Sequence, residues 1–254
     1  MTNSNLTFDP NNFHNNPITN AYMPLAPSDT WVYGDPADPQ ALDTVKVLNQ
    51  TKLIDGVECV VVSDIAKEGN KTVEKTRDYF AQDDQGNVWY FGEDTRTFQA
   101  GGVDFEGTWR AGRVPDGGTE LARPGIIMLA DPQVGDSYFE EHALPVAHDG
   151  ATEVSLNATA ETGLGTLRGL LHTENSDIEG AIEQKFYSPG IGFVRGEASD
   201  GTDVLLSFTS GHGSLTQAMA SFGGQSSLAP ASPSQKEEHT HFADITASPH
   251  SHHG

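Results

Sequence analysis

The stretch SYFEEHALPVAHDG holds the densest set of residues that could do chemistry. It places Glu140, Glu141, His142, His148 and Asp149 close together along the chain. Carboxylates beside imidazoles suit zinc, manganese or iron. Side chains alternate along a strand, so Glu141 and His142 cannot both reach one ion from a regular strand. The HExxH pattern, which sets two histidines on one helical face, is absent. A loop could instead close Glu141, His148 and Asp149 around a divalent metal ion; the competing reading is a solvated acidic strand end. His172 lies in LLHTEN, where alternation puts Leu170, His172 and Glu174 on one face. That pair is either an acid–base couple or a strand-end histidine bonded to a neighbour. Glu141, His148, Asp149 and His172 together would make a metal-dependent hydrolase or lyase. Near the C-terminus, His239, His241, His250, His252 and His253 form HTH and HSHH, which could hold Ni²⁺, Cu²⁺ or Zn²⁺ weakly, or be a passive polar terminus.

A second candidate is aromatic. GNVWYFGEDT sets Trp89, Tyr90 and Phe91 side by side, with Glu93 and Asp94 following. Alternation gives Trp89 and Phe91 one face and Tyr90 the other, and Glu93 and Asp94 arrive where the strand should end. Trp31, Tyr33, Trp89, Tyr90, Trp109 and Tyr138 are the residues that could line a concave face for a small apolar or aromatic ligand. Their other reading is that they fill the core.

Other chemistries lack their signatures. There is no GxSxG elbow, no GxxxxGK[ST] and no GxGxxG between strand and helix. The single cysteine, Cys59, sits in an apolar run and reads as a small buried hydrophobe, which excludes an intrachain disulfide. The chain carries 36 Asp plus Glu against 14 Lys plus Arg, a formal charge of −22. Such a surface repels phosphates, so nucleic acid is not an expected partner. No run approaches the roughly 20 apolar residues of a membrane span. The first residues have neither a basic start nor an apolar core. The expectation is export to the periplasm or exterior if a signal has been removed, and a cytoplasmic protein otherwise.

The elements that must carry these residues are strands almost throughout. DTVKVLNQT alternates, and VECVVVSD is β-branched and continuous, as in a central strand covered on both sides. TRDYFAQD and NVWYFGED flank Asp84-Gln85-Gly86, whose glycine suits the left-handed position of a three-residue hairpin loop. Later runs such as TEVSLNATAET, TLRGLLHTE, AIEQKFYS, IGFVRGE and DVLLSFTS join through short turns. Outside the C-terminal tail the best helix candidate is Leu121–Leu129, broken by Pro124 and Gly125. The reading is a mainly β chain: an extended arm over 1–24, one antiparallel meander of roughly ten to twelve strands over 25–212, and a Ser-, Pro- and His-rich tail over 213–254 whose start, SLTQAMASF, could form a short helix. A sheet that wide must curl into a partial barrel or split into two layers.

The order NAYMPLAPSDTWVY, IDGVECVVVSD, YFAQDDQGNVWYFGEDT, GTWRAG, RPGIIMLADPQVGDSY and KFYSPGIGFV resembles a set of uncharacterised bacterial exported or lipid-anchored proteins. The resemblance spans about residues 17–208. Its marks are Asn20 to Tyr33, with Ser28-Asp29 in the turn, and Tyr187 to Val194, with Ser188 and Ile191. It implies one exported β-domain and brings no catalytic residues. The closing strand pair is also similar in pattern to the lipoprotein carriers LolA and LolB, which implies a concave face for an apolar guest. The functional expectation is a non-catalytic binding or envelope-associated module; the alternatives are the metal-dependent enzyme and a purely structural protein.

Overall fold

The computed structural model describes residues 2–3, 6–14, 17–199 and 201–211. The His-rich tail and its short helix candidate lie outside the described residues. Turn chemistry and side-chain alternation lay out the chain. After the two-residue β1 (Thr2–Asn3), a 3-10 turn η1 (Pro10–Asn12) and the small pair β2 (Ile18–Thr19) and β3 (Pro24–Leu25), the meander begins at β4 (Thr30–Gly34). β5 (Ala41–Ile54) turns through Asp55-Gly56 into β6 (Val57–Glu68). Both turn residues take positive φ, 46° and 85°, the geometry that suits the twist of a two-residue hairpin. β7 (Lys71–Gln82) reaches β8 (Val88–Glu93) through the loop in which Gly86 has φ 94°. Short strands follow: β9 (Arg96–Gln99), β10 (Gly102–Asp104), β11 (Trp109–Arg110), β12 (Arg123–Met128), β13 (Asp136–Phe139) and β14 (Glu141–His142). The described strands end with β15 (Gly150–Thr162), β16 (Gly165–Ser176), β17 (Ile182–Ser188), β18 (Gly192–Glu197) and β19 (Thr202–Thr209).

One run of antiparallel neighbours is β19–β4–β5–β6–β7–β8–β12, and the other is β13–β15–β16–β17–β18–β19. The beginning and end of the meander therefore pair directly, Trp31 opposite Phe208 and Tyr33 opposite Leu205. The sheet curls until its far ends meet through a short pairing, Arg123 with His142 and Pro124 with Glu141. It does not become a regular closed barrel. Gly125 makes this meeting feasible: a Cβ there would lie 2.2 Å from the Glu140 carbonyl oxygen. The stretch Leu121–Leu129, read above as a broken helix, holds strand β12, with Ile126 opposite Trp89 in the β8 ladder.

Register sorts the faces. Asp43, Val45 and Val47 lie opposite Ala66, Asp64 and Val62, and all six are buried on the inner face. β6 is also covered outside at Cys59 and Val61, as its continuous β-branched run requires.

Candidate functional site

The aromatics divide as alternation demands. Tyr90 points inward, stacked on Phe80 at 5.1 Å and edge-on to Trp109 at 5.5 Å. Its hydroxyl bonds to Asp78 Oδ1 at 3.1 Å and Glu93 Oε2 at 3.3 Å. Trp89 and Phe91 point outward beneath Phe8 and Phe13 of the N-terminal arm. Glu93 and Asp94 part company: Glu93 is inside with Tyr90, while Asp94 accepts from Tyr79 Oη at 2.6 Å and pairs with Arg110. The Arg110 and Lys52 charges and the Tyr79 hydrogen bond outweigh the desolvation that opposes them and hold the Asp94 carboxyl below its usual range.

Trp31, Tyr33, Trp89, Tyr90, Trp109 and Tyr138 are all buried in the core. Each polar handle is satisfied by protein, as buried Tyr and Trp demand. Trp31 Nε1 donates to Ile191 O at 2.8 Å and Tyr33 Oη to Phe193 O at 3.0 Å. Trp89 Nε1 reaches Asp83 Oδ2 at 2.9 Å, Trp109 Nε1 reaches Glu141 Oε1 at 3.0 Å, and Tyr138 Oη reaches Glu153 Oε1 at 3.0 Å. Trp31 and Tyr33, with Met23, Tyr187 and Phe193, border a cavity of about 20 Å³. That is room for a single water, far below the roughly 300–1,000 Å³ of a ligand pocket. The two stretches that carried the sequence resemblance meet here, since Gly190 N also donates to Ala21 O at 2.8 Å.

Glu141, His148, Asp149 and His172 are divided between faces. Glu141 and Asp149 are buried and tied to the interior. His148 stacks on exposed Phe139 at 4.5 Å, with His142 5.5 Å away. His172 lies flat on Phe186 at 4.4 Å and bonds through Nε2 to Gln184 Oε1 at 2.6 Å. Gln184 in turn donates to Glu174 Oε2 at 3.2 Å, so the glutamate reaches the imidazole only through an amide. Among the described residues no group of three or more His, Cys, Asp or Glu is placed to hold a metal ion.

The interior between β13 and β18 carries a polar cluster that strand alternation alone does not single out. Lys185 is fully buried, with Nζ 3.5 Å from Glu183 Oε2. Asn175 Nδ2 donates to Glu140 Oε2 at 2.9 Å, and Thr173 Oγ1 donates to Asn175 Oδ1 at 2.6 Å. Burial lifts the Glu140 carboxyl to about 8 against the pull of Lys185 and Asn175. Burial likewise lifts Glu153 to about 7, although the Tyr138 hydroxyl opposes the shift. The signal is present in AIEQKFYS, where Glu183 and Lys185 share the period of Tyr187. Their inward direction depends on which face curls.

An open groove of about 420 Å³ lies at one end of the sheet. Its floor is Leu42, Val204 and Leu206, and the Pro36 and Pro39 loop forms one wall. The other wall is the tip of the β15–β16 hairpin at Glu161–Gly163. Gly163 N donates to Leu205 O at 2.8 Å and Arg195 Nη1 donates to Glu161 O at 2.9 Å, which fixes the tip over β19. A Cβ on Gly163 would stand 2.8 Å from Leu206 Cα, so glycine permits this approach. Arg195 Nε also binds Glu197 Oε1, leaving the guanidinium at the groove edge partly neutralised.

No family model matches the chain, and no curated protein matches it. Among solved structures, a Bacteroides fragilis protein described as a "putative exported protein with YmcC-like fold" is similar, at 12% identity and a TM-score of 0.40. The likeness covers 76% of this chain and 100% of that one. Likeness at this level carries no function.

Proposed function

We propose that the protein is a non-catalytic, exported binding module that holds a small apolar molecule in the groove between the β4–β5 loop and the β15–β16 tip. The observation that carries this reading is volume. The groove, at about 420 Å³, falls within the range of about 300–1,000 Å³ typical of ligand pockets, while the aromatic cavity is about 20 Å³. Its lining is of the expected kind: an apolar floor with a few polar groups at the edge, Asp35, Glu161 and Arg195. Export is supported by the sequence resemblance through Asn20–Tyr33 and Tyr187–Val194.

Titration with an environment-sensitive apolar dye tests the reading. Saturable uptake is expected, with at least a tenfold loss in Leu206→Asp, because that change puts a charge on the groove floor. Leu206 is 39% exposed, so the substitution leaves the core packing alone. Absence of saturable uptake, or equal uptake by the variant, overturns the proposal.

A further inference from the structure

The outer face of β8 is an aromatic wall, and a segment of the chain already sits on it. Phe8 packs on Trp89 at 6.1 Å and Phe91 at 5.6 Å; Phe13 packs on the same rings at 6.0 and 5.6 Å. The two phenylalanines are 5.7 Å apart. Phe91 is fully buried and Trp89 nearly so.

The arm encodes its own shape. Asp9 accepts from Asn11 N at 2.9 Å, Asn12 N donates to Asp9 O at 3.0 Å, and Pro10 opens the 3-10 turn. This local turn brings Phe8 and Phe13 to one side, so little order has to be imposed by the wall. No residue from Leu6 to His14 joins a strand. The polar ties to the body gather at one residue: Asp84 N donates to Asn12 O at 2.8 Å, and Asp84 takes the His14 backbone N–H and pairs with His14 Nδ1. An exposed pair of that kind contributes little. The span is tethered on both sides: before it β1 pairs parallel with β13, Thr2 opposite Asp136 and Asn3 opposite Ser137, and after it the N–H groups of Thr19 and Asn20 both donate to Gln82 Oε1. Between Leu6 and His14 the arm is thus held chiefly by two aromatic side chains, the way a peptide ligand is held by hot-spot residues.

We propose that the Trp89–Phe91 face is a peptide-docking seat, filled here by the chain's own arm, and that its partner is a protein segment carrying two phenylalanines around an Asp-Pro turn. The tethered arm competes at an effective concentration on the order of millimolar, so the seat opens to a partner only when the arm is displaced.

The test uses the full chain and a labelled peptide of the sequence LTFDPNNFH, followed by fluorescence anisotropy. The double variant Phe8→Ser, Phe13→Ser frees the seat without touching the sheet. It is expected to bind the peptide saturably, at least tenfold more tightly than the wild type does, and to ignore a peptide carrying the same two serines. If the double variant loses its β circular dichroism, Phe8→Ser alone takes its place with the same expectation. No saturable binding by a folded variant, or equal binding of the serine peptide, overturns the proposal.

Discussion

Glu153 shows how a single buried carboxyl links the interior to pH. It is 1% exposed, and its carboxyl is lifted from 4.5 to about 7. A carboxyl whose folded value is raised favours the fold below its unfolded value and loses that contribution as pH rises through the folded one. Glu140, lifted to about 8, acts in the same direction. Thermal stability should therefore fall between about pH 5 and pH 9. Glu153→Gln keeps an acceptor for the Tyr138 hydroxyl and removes the charge, so its melting temperature should exceed that of the wild type at pH 9 and match it near pH 5. The difference at pH 9 is on the order of 2–3 kcal/mol. Melting curves at the two pH values measure it, and an equal slope in both proteins would show that Glu153 does not titrate in this window. At this scale the alternation of Trp89, Tyr90 and Phe91 is readable, because a strand's two-residue period is local. The fate of Glu141 and His148 is not, because it depends on Trp109, which another strand delivers, and on the loop that folds His148 back onto Phe139.

Among elements, the decisive contact is the one between β12 and the β13–β14 region. Gly125 has a buried backbone whose missing Cβ would lie 2.2 Å from Glu140 O and 2.7 Å from Phe139 O. Gly125→Ala must separate the two ends of the curled sheet and should cost more than about 3 kcal/mol in urea unfolding. A smaller cost would show that the ends meet loosely. The same stretch, Leu121–Leu129, reads from sequence as a broken helix because Pro124 and Gly125 interrupt any pattern. The structure uses both breakers in a strand: Pro124 at the short β14 pairing and Gly125 at the close approach. The long hairpins are legible for the opposite reason. Asp55-Gly56 and Gly86 supply the positive φ values that their turns require, and the flanking runs are alternating, β-branched or aromatic.

Across the whole molecule, the imbalance of charge acts at long range. A formal −22 makes the folded chain repel itself. Raising sodium chloride from about 10 mM to about 0.5 M shortens the Debye length from about 30 Å to a few ångströms. The melting temperature should rise by several degrees over that range, read by circular dichroism at fixed pH. A flat response would mean that the buried acids and their partners, rather than the surface, set the electrostatic balance. The meander reading holds at this scale as well: among the described residues, ten strands have six residues or more, β5 to β8, β12 and β15 to β19.

Sequence by itself determined that this is an antiparallel meander too wide to stay flat, since the two-residue period and the turn residues are properties of neighbours along the chain. It also placed Trp89 and Phe91 together on one face and Tyr90 on the other. Only the tertiary structure decided what those faces meet. Phe8 and Phe13 cover Trp89 and Phe91 across more than seventy intervening residues. The Pro36 loop and the Gly163 tip make a groove from segments more than a hundred residues apart. The curl of the sheet brings such segments together, and curl is a sum over every pairing, which no local pattern contains.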